Sequence, residues 1–300
     1  MESHVFRGEA VATLYEKYGK INLDSCISCG GKKLAQWTRS LTFRADCCSD
    51  CGLIFMNPQV EQTGLDLYYT DYIGRRRLGE KKKMAQRQIQ YDLDASVIEI
   101  FLSPNTRASV LDVGCNGGFF LGRLSDQFYR SGTELDYQAV SFARKQFPEF
   151  GSNIHHGNLY SANYPKHQFD LVIMRGVIEH LLDPVGHISE VSRILKPNGF
   201  FLVCATPNGA SLCADLYREQ WRLFHPIQHL WHFSQSNLSG ICERHGLQNI
   251  WHDFPYIDTP YACPEKDLEE VCRFINQKDL SISPPFFGNM MSLVYKKDLS

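Results

Sequence analysis

Short apolar runs alternate with amphipathic stretches from about residue 109 onward, and this alternation predicts the core of the fold. The apolar runs predict strands over 110–113, 129–134, 153–156, 169–174 and 200–205. The stretches between them predict helices over 117–128, 136–147 and 184–195. Strands that alternate with helices favour an α/β fold with a doubly wound, mostly parallel sheet.

The flanking regions have a different texture. Residues 1–56 are rich in cysteine and lack helical periodicity, whereas apolar residues recur at helical spacing over 80–102. Further on, we expect a helix over 235–245 and a last strand over 290–295, added antiparallel at the edge of the sheet. The predicted domains are a small module over 1–56, a helical linker over 57–104 and the main domain over 105–300.

Composition and charge exclude several classes of protein. The chain has 300 residues, 31 Lys and Arg against 33 Asp and Glu, and a formal net charge of −2, which argues against a protein that grips nucleic acid. No apolar run approaches the roughly 18 residues of a membrane span, and the first residues lack the build of a signal peptide. An odd number of cysteines, 11, indicates a reducing compartment, so we expect a cytoplasmic protein.

Four cysteines form two C-x2-C pairs separated by 18 residues, and a glycine follows each pair. The pairs are Cys26 with Cys29 and Cys48 with Cys51. This spacing is typical of a four-cysteine structural zinc site, whereas free buried thiols rarely come as two such pairs. Cys47 breaks the spacing and is not expected to bind. Since all four ligands would come from the protein, the ion would have no open position for catalysis.

A strand over 110–113 runs into a glycine-rich turn, which predicts a ligand site. Gly114 and Gly118 remove side chains where a ligand would approach the backbone, and a helix beginning there would offer free N–H groups to an anion. Glu134 follows Gly114 by 20 residues, at the end of the next strand. An acidic residue at that place can hold both hydroxyls of a ribose.

The glycine turn and its acid also suit a dinucleotide enzyme. Two features favour another nucleoside. Asn116 stands where the full G-x-G-x-x-G pattern has its middle glycine. Asp112, two residues before Gly114, can meet a cation such as an amino group.

Several motifs together resemble the class I S-adenosylmethionine-dependent methyltransferases. The stretch Leu-Asp-Val-Gly-Cys-Asn-Gly-Gly over 111–118 is similar to their first motif, and Phe-Asp-Leu-Val over 169–172 followed by Val-Ile-Glu-His-Leu over 177–181 is similar to the motif of their fourth strand. Similar stretches of the family lie at 193–199 and 206–208. Residues 48–58 and 229–234 resemble a bacterial-type branch that acts on small molecules and opens with a zinc-ribbon-like module.

The resemblance implies a seven-stranded Rossmann-like sheet, S-adenosylmethionine as the cofactor and structural Zn²⁺ in the module. The residues that it implies for cofactor binding are Asp112, Gly114, Cys115, Asn116, Gly118, Glu134, Leu135, Asn158, Leu159 and Arg175. Asn158 stands where the family usually has Asp. Gly176 stands where magnesium-binding members carry Glu, so no catalytic magnesium is expected.

The chemistry expected from this resemblance is methyl transfer to a small-molecule acceptor, such as a sugar, a lipid-linked compound or a secondary metabolite. His180 and His229 are the candidate catalytic bases, and an insertion over about 206–233 is expected to cover the substrate. Three alternatives stay open: an RNA methyltransferase whose ribbon presents the substrate, a non-catalytic protein that keeps the cofactor fold, and, least favoured, a nicotinamide dehydrogenase.

Overall fold

The computed structural model describes residues 9–40, 42–75, 81–277 and 281–299. The helices within these ranges are α1 (Glu9–Tyr18), α2 (Gln62–Arg75), α3 (Lys81–Phe101), α4 (Tyr137–Gln146), α5 (Pro184–Ile194), α6 (Leu212–Tyr217), α7 (Gln235–Glu243) and α8 (Pro264–Gln277). The strands before the main sheet are β1 (Gly19–Ile21), β2 (Leu34–Arg39), β3 (Arg44–Cys48), β4 (Ile54–Met56) and β5 (Gln59–Val60). The later strands are β6 (Ser109–Val113), β7 (Tyr129–Glu134), β8 (Ile154–His156), β9 (Phe169–Arg175), β10 (Leu195–Pro207), β11 (Trp231–His232), β12 (Leu247–Asp253) and β13 (Met290–Lys297).

A seven-stranded sheet in the order β12-β13-β10-β9-β6-β7-β8 forms the centre of the molecule. Strands β10, β9, β6, β7 and β8 run parallel to their neighbours in this series. Strand β13 pairs antiparallel with both β10 and β12. The predicted doubly wound, mostly parallel sheet is therefore confirmed, since five of its seven strands are parallel and α4 and α5 connect β7 to β8 and β9 to β10.

The prediction for the last strand was only half right. Strand β13 is antiparallel, as expected, but it lies between β10 and β12 rather than at the edge of the sheet. The edge strand β12 was not predicted. Its residues alternate in exposure and include polar side chains, so its sequence shows no continuous apolar run.

The helix predicted over 117–128 is wrong. The chain instead makes turns and one short 3₁₀ segment, Leu121–Arg123. Glycines at 117, 118 and 122 weaken helix formation there, and Gly118 has a φ of +76°, which is outside the helical region. The turn after β6 therefore exposes backbone to a ligand without the N-terminus of a helix.

A second sheet, in the order β11-β4-β3-β2, joins the cysteine-rich region to the main domain. Strand β11 comes from the end of the 206–233 insertion and pairs antiparallel with β4, with Trp231 opposite Phe55 and His232 opposite Ile54. Trp37 of β2 packs against Phe224 of the insertion at 5.3 Å between ring centroids. The insertion thus lies on the cysteine-rich module.

None of the helices in the described part of the chain has the length and apolar character that a membrane crossing requires.

Candidate active site

The turn after β6 has a conformation that requires glycine. Gly114 has a φ of +72°, and a Cβ atom at this position would lie 2.9 Å from a methyl group of Val177. The N–H groups of Gly114 and Cys115 both donate to the carbonyl of Thr133, at 2.8 and 3.0 Å. The turn is therefore fixed against the end of β7, and it borders the segment that follows β9.

Asp112 is a buried carboxyl group whose environment fits a cationic ligand. Its side chain is 3% exposed, and Oδ1 has no hydrogen-bond partner among the described residues. Burial raises the pKa of Asp112 to about 7, although the positive charge of Arg175 acts in the opposite direction. An ammonium group beside Oδ1 would supply the missing partner, as the amino group of S-adenosylmethionine would.

Glu134 joins the glycine turn to the start of α4. Its Oε2 accepts a hydrogen bond from the N–H of Asn116 at 2.8 Å, and its Oε1 accepts one from the N–H of Asp136 at 2.9 Å. Burial raises the pKa of Glu134, while these backbone donors lower it. Each oxygen retains a lone pair, so the carboxylate can also accept hydrogen bonds from two ribose hydroxyls.

The end of β8 carries the remaining residues that were predicted to bind the nucleoside. The Oδ1 atom of Asn158 accepts from the N–H of Ser161 at 2.8 Å, so the side-chain nitrogen is the group left for a ligand. Leu159 is buried, whereas Leu135 is 68% exposed beside the end of β7. An apolar side chain open to solvent at this edge provides a surface on which a flat base can pack.

Arg175 at the end of β9 is held by a residue that the sequence did not reveal. Its Nε donates to Oδ2 of Asp94 on α3 at 2.7 Å, and its guanidinium lies 4.6 Å from the ring centroid of Tyr91. Asp94 is buried. The periodicity of 80–102 predicted the helix but not this contact, because nothing in a helical pattern shows which distant strand end a helix meets.

The two predicted catalytic histidines lie together. The ring centroids of His180 and His229 are 4.9 Å apart. One ring nitrogen of each histidine and one carboxyl oxygen of Glu179 all lie within 4.8 Å of one another. His180 ends a 3₁₀ segment after β9, and His229 precedes β11. The fold thus brings together two residues that are far apart in the sequence.

Backbone carbonyls orient both imidazoles. The Nδ1 of His180 lies 2.7 Å from the carbonyl oxygen of Gln228, and the Nδ1 of His229 lies 2.6 Å from that of Leu223. Because a carbonyl only accepts hydrogen bonds, these contacts place a proton on Nδ1 of each neutral ring. The Nε2 atoms then carry the lone pairs that a base needs.

Glu179 is the buried acid of this group. It is 1% exposed, and its Oε2 accepts from the hydroxyl of Thr206 at 3.3 Å. Burial raises the pKa of Glu179 to about 8, so the carboxyl group is largely protonated at neutral pH. A protonated carboxyl group cannot accept a further proton at neutral pH, which leaves the two imidazoles as the candidate bases.

The four predicted zinc ligands converge in the module. Their sulfur atoms all lie within 4.8 Å of one another, with Cys26 3.5 Å from Cys51 and Cys29 3.5 Å from Cys48. Thiolates bound to one zinc ion lie about 3.8 Å apart, given tetrahedral geometry and bonds of about 2.3 Å. The donor set therefore fits Zn²⁺, and Cys47 is outside this group of four.

The glycines after the two cysteine pairs turn the chain beneath the sulfur atoms. Gly30 and Gly52 have φ values of +74° and +75°, and their N–H groups donate to the carbonyls of Cys26 and Cys48 at 2.8 Å each. Both C-x2-C segments therefore have the same local geometry, as the sequence predicted.

Comparison with known proteins agrees with this geometry. A family model described as a methyltransferase domain matches residues 85–252, more than half of the chain. A protein of Mycolicibacterium smegmatis that carries the name S-adenosylmethionine-dependent methyltransferase is 38% identical over 100 residues, which are 33% of this chain and 38% of that protein. The ubiquinone biosynthesis O-methyltransferase of Thiobacillus denitrificans is 30% identical over 103 residues, 33% of this chain and 44% of that one. The match spans less than half the length of either relative.

Two solved structures share the fold. The YcgJ protein from Bacillus subtilis superimposes with a TM-score of 0.50 at 19% identity, over 69% of this chain and 99% of that one. The cyclase SpnF superimposes with a TM-score of 0.50 at 16% identity, over 70% of this chain and 85% of that one. Because the family match covers the glycine turn, Asp112, Glu134 and the histidine pair, the chain belongs to the class I S-adenosylmethionine-dependent methyltransferases.

Proposed function

We propose that this protein transfers a methyl group from S-adenosylmethionine to a small-molecule acceptor, such as a sugar, a lipid-linked compound or a secondary metabolite. The observation that carries the proposal is the buried Asp112, whose Oδ1 has no partner among the described residues. It lies at the glycine turn that Glu134 closes. A nucleoside with a cationic amino acid chain satisfies both carboxylates at once.

In the proposed reaction, the residues at the glycine turn position the cofactor, and one of the two histidines accepts a proton. Methyl transfer forms a bond between the acceptor atom and the methyl carbon while the bond from that carbon to sulfur breaks, leaving its electron pair on sulfur. Alignment of the two reactants can supply about 7–11 kcal/mol of the barrier reduction. We assign the acceptor's proton to Nε2 of His180 or His229, since their Nδ1 atoms face backbone carbonyls.

The surroundings of the histidines support a small acceptor over RNA. His229 is 8% exposed and follows the insertion that packs on the cysteine module. The net charge of −2 also counts against a polynucleotide. The cyclase SpnF has the same fold, so a cofactor-fold protein with another activity is the second candidate.

The cysteine cluster supports a structural Zn²⁺ held by Cys26, Cys29, Cys48 and Cys51. We also propose the domain division into a zinc module over 1–56, a helical linker over 57–104 and a methyltransferase domain over 105–300. We propose that the 206–233 insertion covers the substrate. Pairing of β11 with β4 supports this role, because it attaches the insertion to the module.

The proposal is tested by incubating the protein with cell extract and S-adenosylmethionine that carries an isotopically labelled methyl group. We expect label in a small molecule, identified by mass spectrometry. Label in RNA that is lost after ribonuclease treatment would favour the RNA alternative. Cofactor binding without any labelled product would favour the non-catalytic one.

The roles of the histidines are tested once an acceptor is known. Replacing His180 or His229 by Gln is expected to lower kcat by about 10²- to 10⁴-fold for the residue that accepts the proton. Cofactor affinity measured by calorimetry should stay unchanged. His252→Gln, an exposed histidine that bonds Gln235, serves as the control. Full activity in both His180→Gln and His229→Gln would refute proton uptake by this pair.

A further inference from the structure

Strand β4 of the cysteine module holds the segment that carries His229. The N–H of Met56, the last residue of β4, donates to the carbonyl of Leu230 at 2.9 Å, immediately after His229. The next two residues, beginning with Trp231, form β11 and pair with β4. Met56, Leu230 and Trp231 are all buried. Because breaking a buried hydrogen bond leaves its donor and acceptor unsatisfied, β4 and this segment are expected to move together.

The same segment also holds the residues on either side of His180. The N–H of Leu230 donates to the carbonyl of Glu179 at 2.9 Å, so Leu230 is bonded to the module through its oxygen and to the residue before His180 through its nitrogen. The indole N–H of Trp231 donates to the carbonyl of Leu181 at 2.7 Å. Both chain neighbours of His180 are therefore bonded to two consecutive residues that β4 holds in place.

Trp231 contacts both ends of this connection with one side chain. Its ring packs against that of Phe55 in β4 at 5.8 Å between centroids, and the backbones of the same two residues are paired. Its indole nitrogen reaches Leu181 on the other side. An indole combines a large apolar ring with a single hydrogen-bond donor. Phenylalanine at this position would therefore keep most of the packing and lose the hydrogen bond to the segment of His180.

The position of β4 depends in turn on the cysteine cluster. Strand β3 ends at Cys48 and pairs with β4, and the N–H of Cys48 donates to the carbonyl of Leu53 at 2.9 Å. Cys51 lies three residues before β4. A metal ion bound by the four sulfur atoms would fix the loop between these strands, since metal binding and local folding are coupled.

We propose that the cysteine module positions the two candidate bases through Leu230 and Trp231, so that loss of its metal disturbs the two histidine segments, 177–182 and 228–233, and leaves the cofactor site folded. The glycine turn is bonded to the end of β7 instead. This inference rests on the proposed roles of the histidines as bases and of the cysteines as zinc ligands. It makes Trp231 a positioning residue.

The test measures amide hydrogen exchange by mass spectrometry in peptides that cover the histidine segments and the glycine turn over 110–118. The proteins are the wild type, Trp231→Phe and Trp221→Phe, each before and after removal of metal by a chelator. Trp221 is the matched control, because it is also fully buried and its indole N–H donates to Asn289, outside both histidine segments. Metal content and the affinity for S-adenosylhomocysteine are measured on the same samples.

In the wild type, chelation should speed exchange in both histidine segments by about tenfold or more and in the glycine turn by about threefold or less. In Trp231→Phe that still holds its metal, exchange over 177–182 should already be about fivefold faster, as expected for loss of one buried hydrogen bond. Its metal content and its affinity for S-adenosylhomocysteine should match the wild type. Trp221→Phe should leave exchange over 177–182 unchanged.

Imidazole nitrogen signals in NMR spectra give a second measurement, which a general loss of stability would not reproduce. The Nδ1 of His180 faces the carbonyl of Gln228 at 2.7 Å only while the two histidine segments are aligned. The fraction of His180 protonated at Nδ1 should therefore fall in Trp231→Phe and in the chelated wild type. The signal is identified by its absence in His180→Gln.

Three outcomes would overturn the inference. They are faster exchange confined to the module after chelation, an equal increase in all three peptides, and equal effects of Trp231→Phe and Trp221→Phe over 177–182. Wild-type protein that holds no metal would instead refute the zinc site, and failure to bind S-adenosylhomocysteine would refute the proposed cofactor. The comparison of the two tryptophan variants tests the connection in either case.

Discussion

The cysteine module and the cofactor cleft, by which we mean Asp112, Glu134 and the turn after β6, both bring together groups that can bind a ligand. They differ in whether the polar groups have hydrogen-bond partners when no ligand is bound. In the module, four thiols converge and the neighbouring N–H groups of Gly30 and Gly52 are already bonded. In the cleft, a carboxyl oxygen of Asp112 is buried with no partner in the described chain.

This difference indicates that the zinc ion stabilises the fold of the module, whereas the cofactor binds to a site that is already folded. Binding of a structural zinc ion contributes directly to the free energy of folding. A buried, unpartnered carboxylate instead lowers the stability of the ligand-free protein, and the cofactor relieves that cost. Removing a ligand group should therefore destabilise the module but stabilise the cleft.

The largest effect is expected for Cys48→Ser. Loss of one thiolate should release the metal and lower the free energy of unfolding by roughly 3 kcal/mol or more, since metal binding and folding of the module are coupled. Mass spectrometry measures the metal content, and thermal unfolding measures the loss of stability. Cys47→Ser is the control and should change neither. Wild-type protein purified without chelator and free of zinc would contradict the assignment.

Asp112→Asn should act in opposite directions on binding and stability. Affinity for S-adenosylhomocysteine should fall by about 100-fold, because the ammonium loses its charged partner. At pH 8 the ligand-free variant should be more stable than the wild type by on the order of 1–2 kcal/mol. Calorimetry and chemical denaturation give the two values. Wild-type affinity in this variant would refute the cationic site.

The pH dependence should also run in opposite directions for binding and stability. Since burial raises the pKa of Asp112 to about 7, affinity should rise about tenfold from pH 6 to pH 8 as the carboxyl group ionises. The folded protein holds this proton more tightly than the unfolded chain, so stability without ligand should fall as the pH rises from about 4 through 7. Glu179, with a pKa of about 8, extends the fall to higher pH.

Both slopes can be measured by calorimetry and by thermal unfolding from pH 5 to 8.5. Asp112→Asn should remove the slope in affinity and reduce the slope in stability. The buried His232, whose pKa burial lowers, adds a slope of opposite sign below about pH 6.5, so the Asp112 contribution is the difference between the wild type and Asp112→Asn. A difference that does not change with pH would contradict the buried, unpartnered carboxyl group.

Substitution of glycine by alanine should distinguish the turns of the cysteine module from the turn after β6. Gly52→Ala places a methyl group in open space at a φ of +75°, so only backbone strain of about 1 kcal/mol is expected. Gly114→Ala has the same strain at +72° and also brings the new Cβ to 2.9 Å from Val177. It should cost about 2 kcal/mol or more. If thermal unfolding shows an equal loss of stability in the two variants, the turn at Gly114 has as much space for a Cβ atom as the turn at Gly52.

Local patterns predicted four of the five parallel strands well, whereas β10 begins five residues earlier and ends two residues later than the predicted strand over 200–205. Strand β7 has the predicted bounds, and β6, β8 and β9 differ from prediction by one residue at one end. Strands β6 and β9 are mostly buried, so their sequences are mostly apolar and easily recognised. The turn after β6 was predicted wrongly as a helix, because apolar spacing alone does not show the cost of three glycines.

Pairwise contacts between distant segments were outside the reach of the sequence. Each C-x2-C pair and the glycine-rich stretch after β6 is defined by residues within a few positions of one another, so the sequence predicted them. The partnership of Arg175 with Asp94, and the carbonyl of Leu223 that orients His229, depend on where whole elements pack. Sequence patterns could identify His180 and His229 as candidate bases but not show that the fold brings their rings together.

The pairing of β11 with β4 joins residues that are far apart in the sequence, since Ile54 lies across from His232. During synthesis the first strands of this small sheet leave the ribosome long before their fourth partner. Contacts between such distant segments form slowly, because a long loop must close first. The cysteine-rich segment therefore keeps an open strand edge at β4 until translation has passed His232, and an unpaired strand edge of this kind favours aggregation.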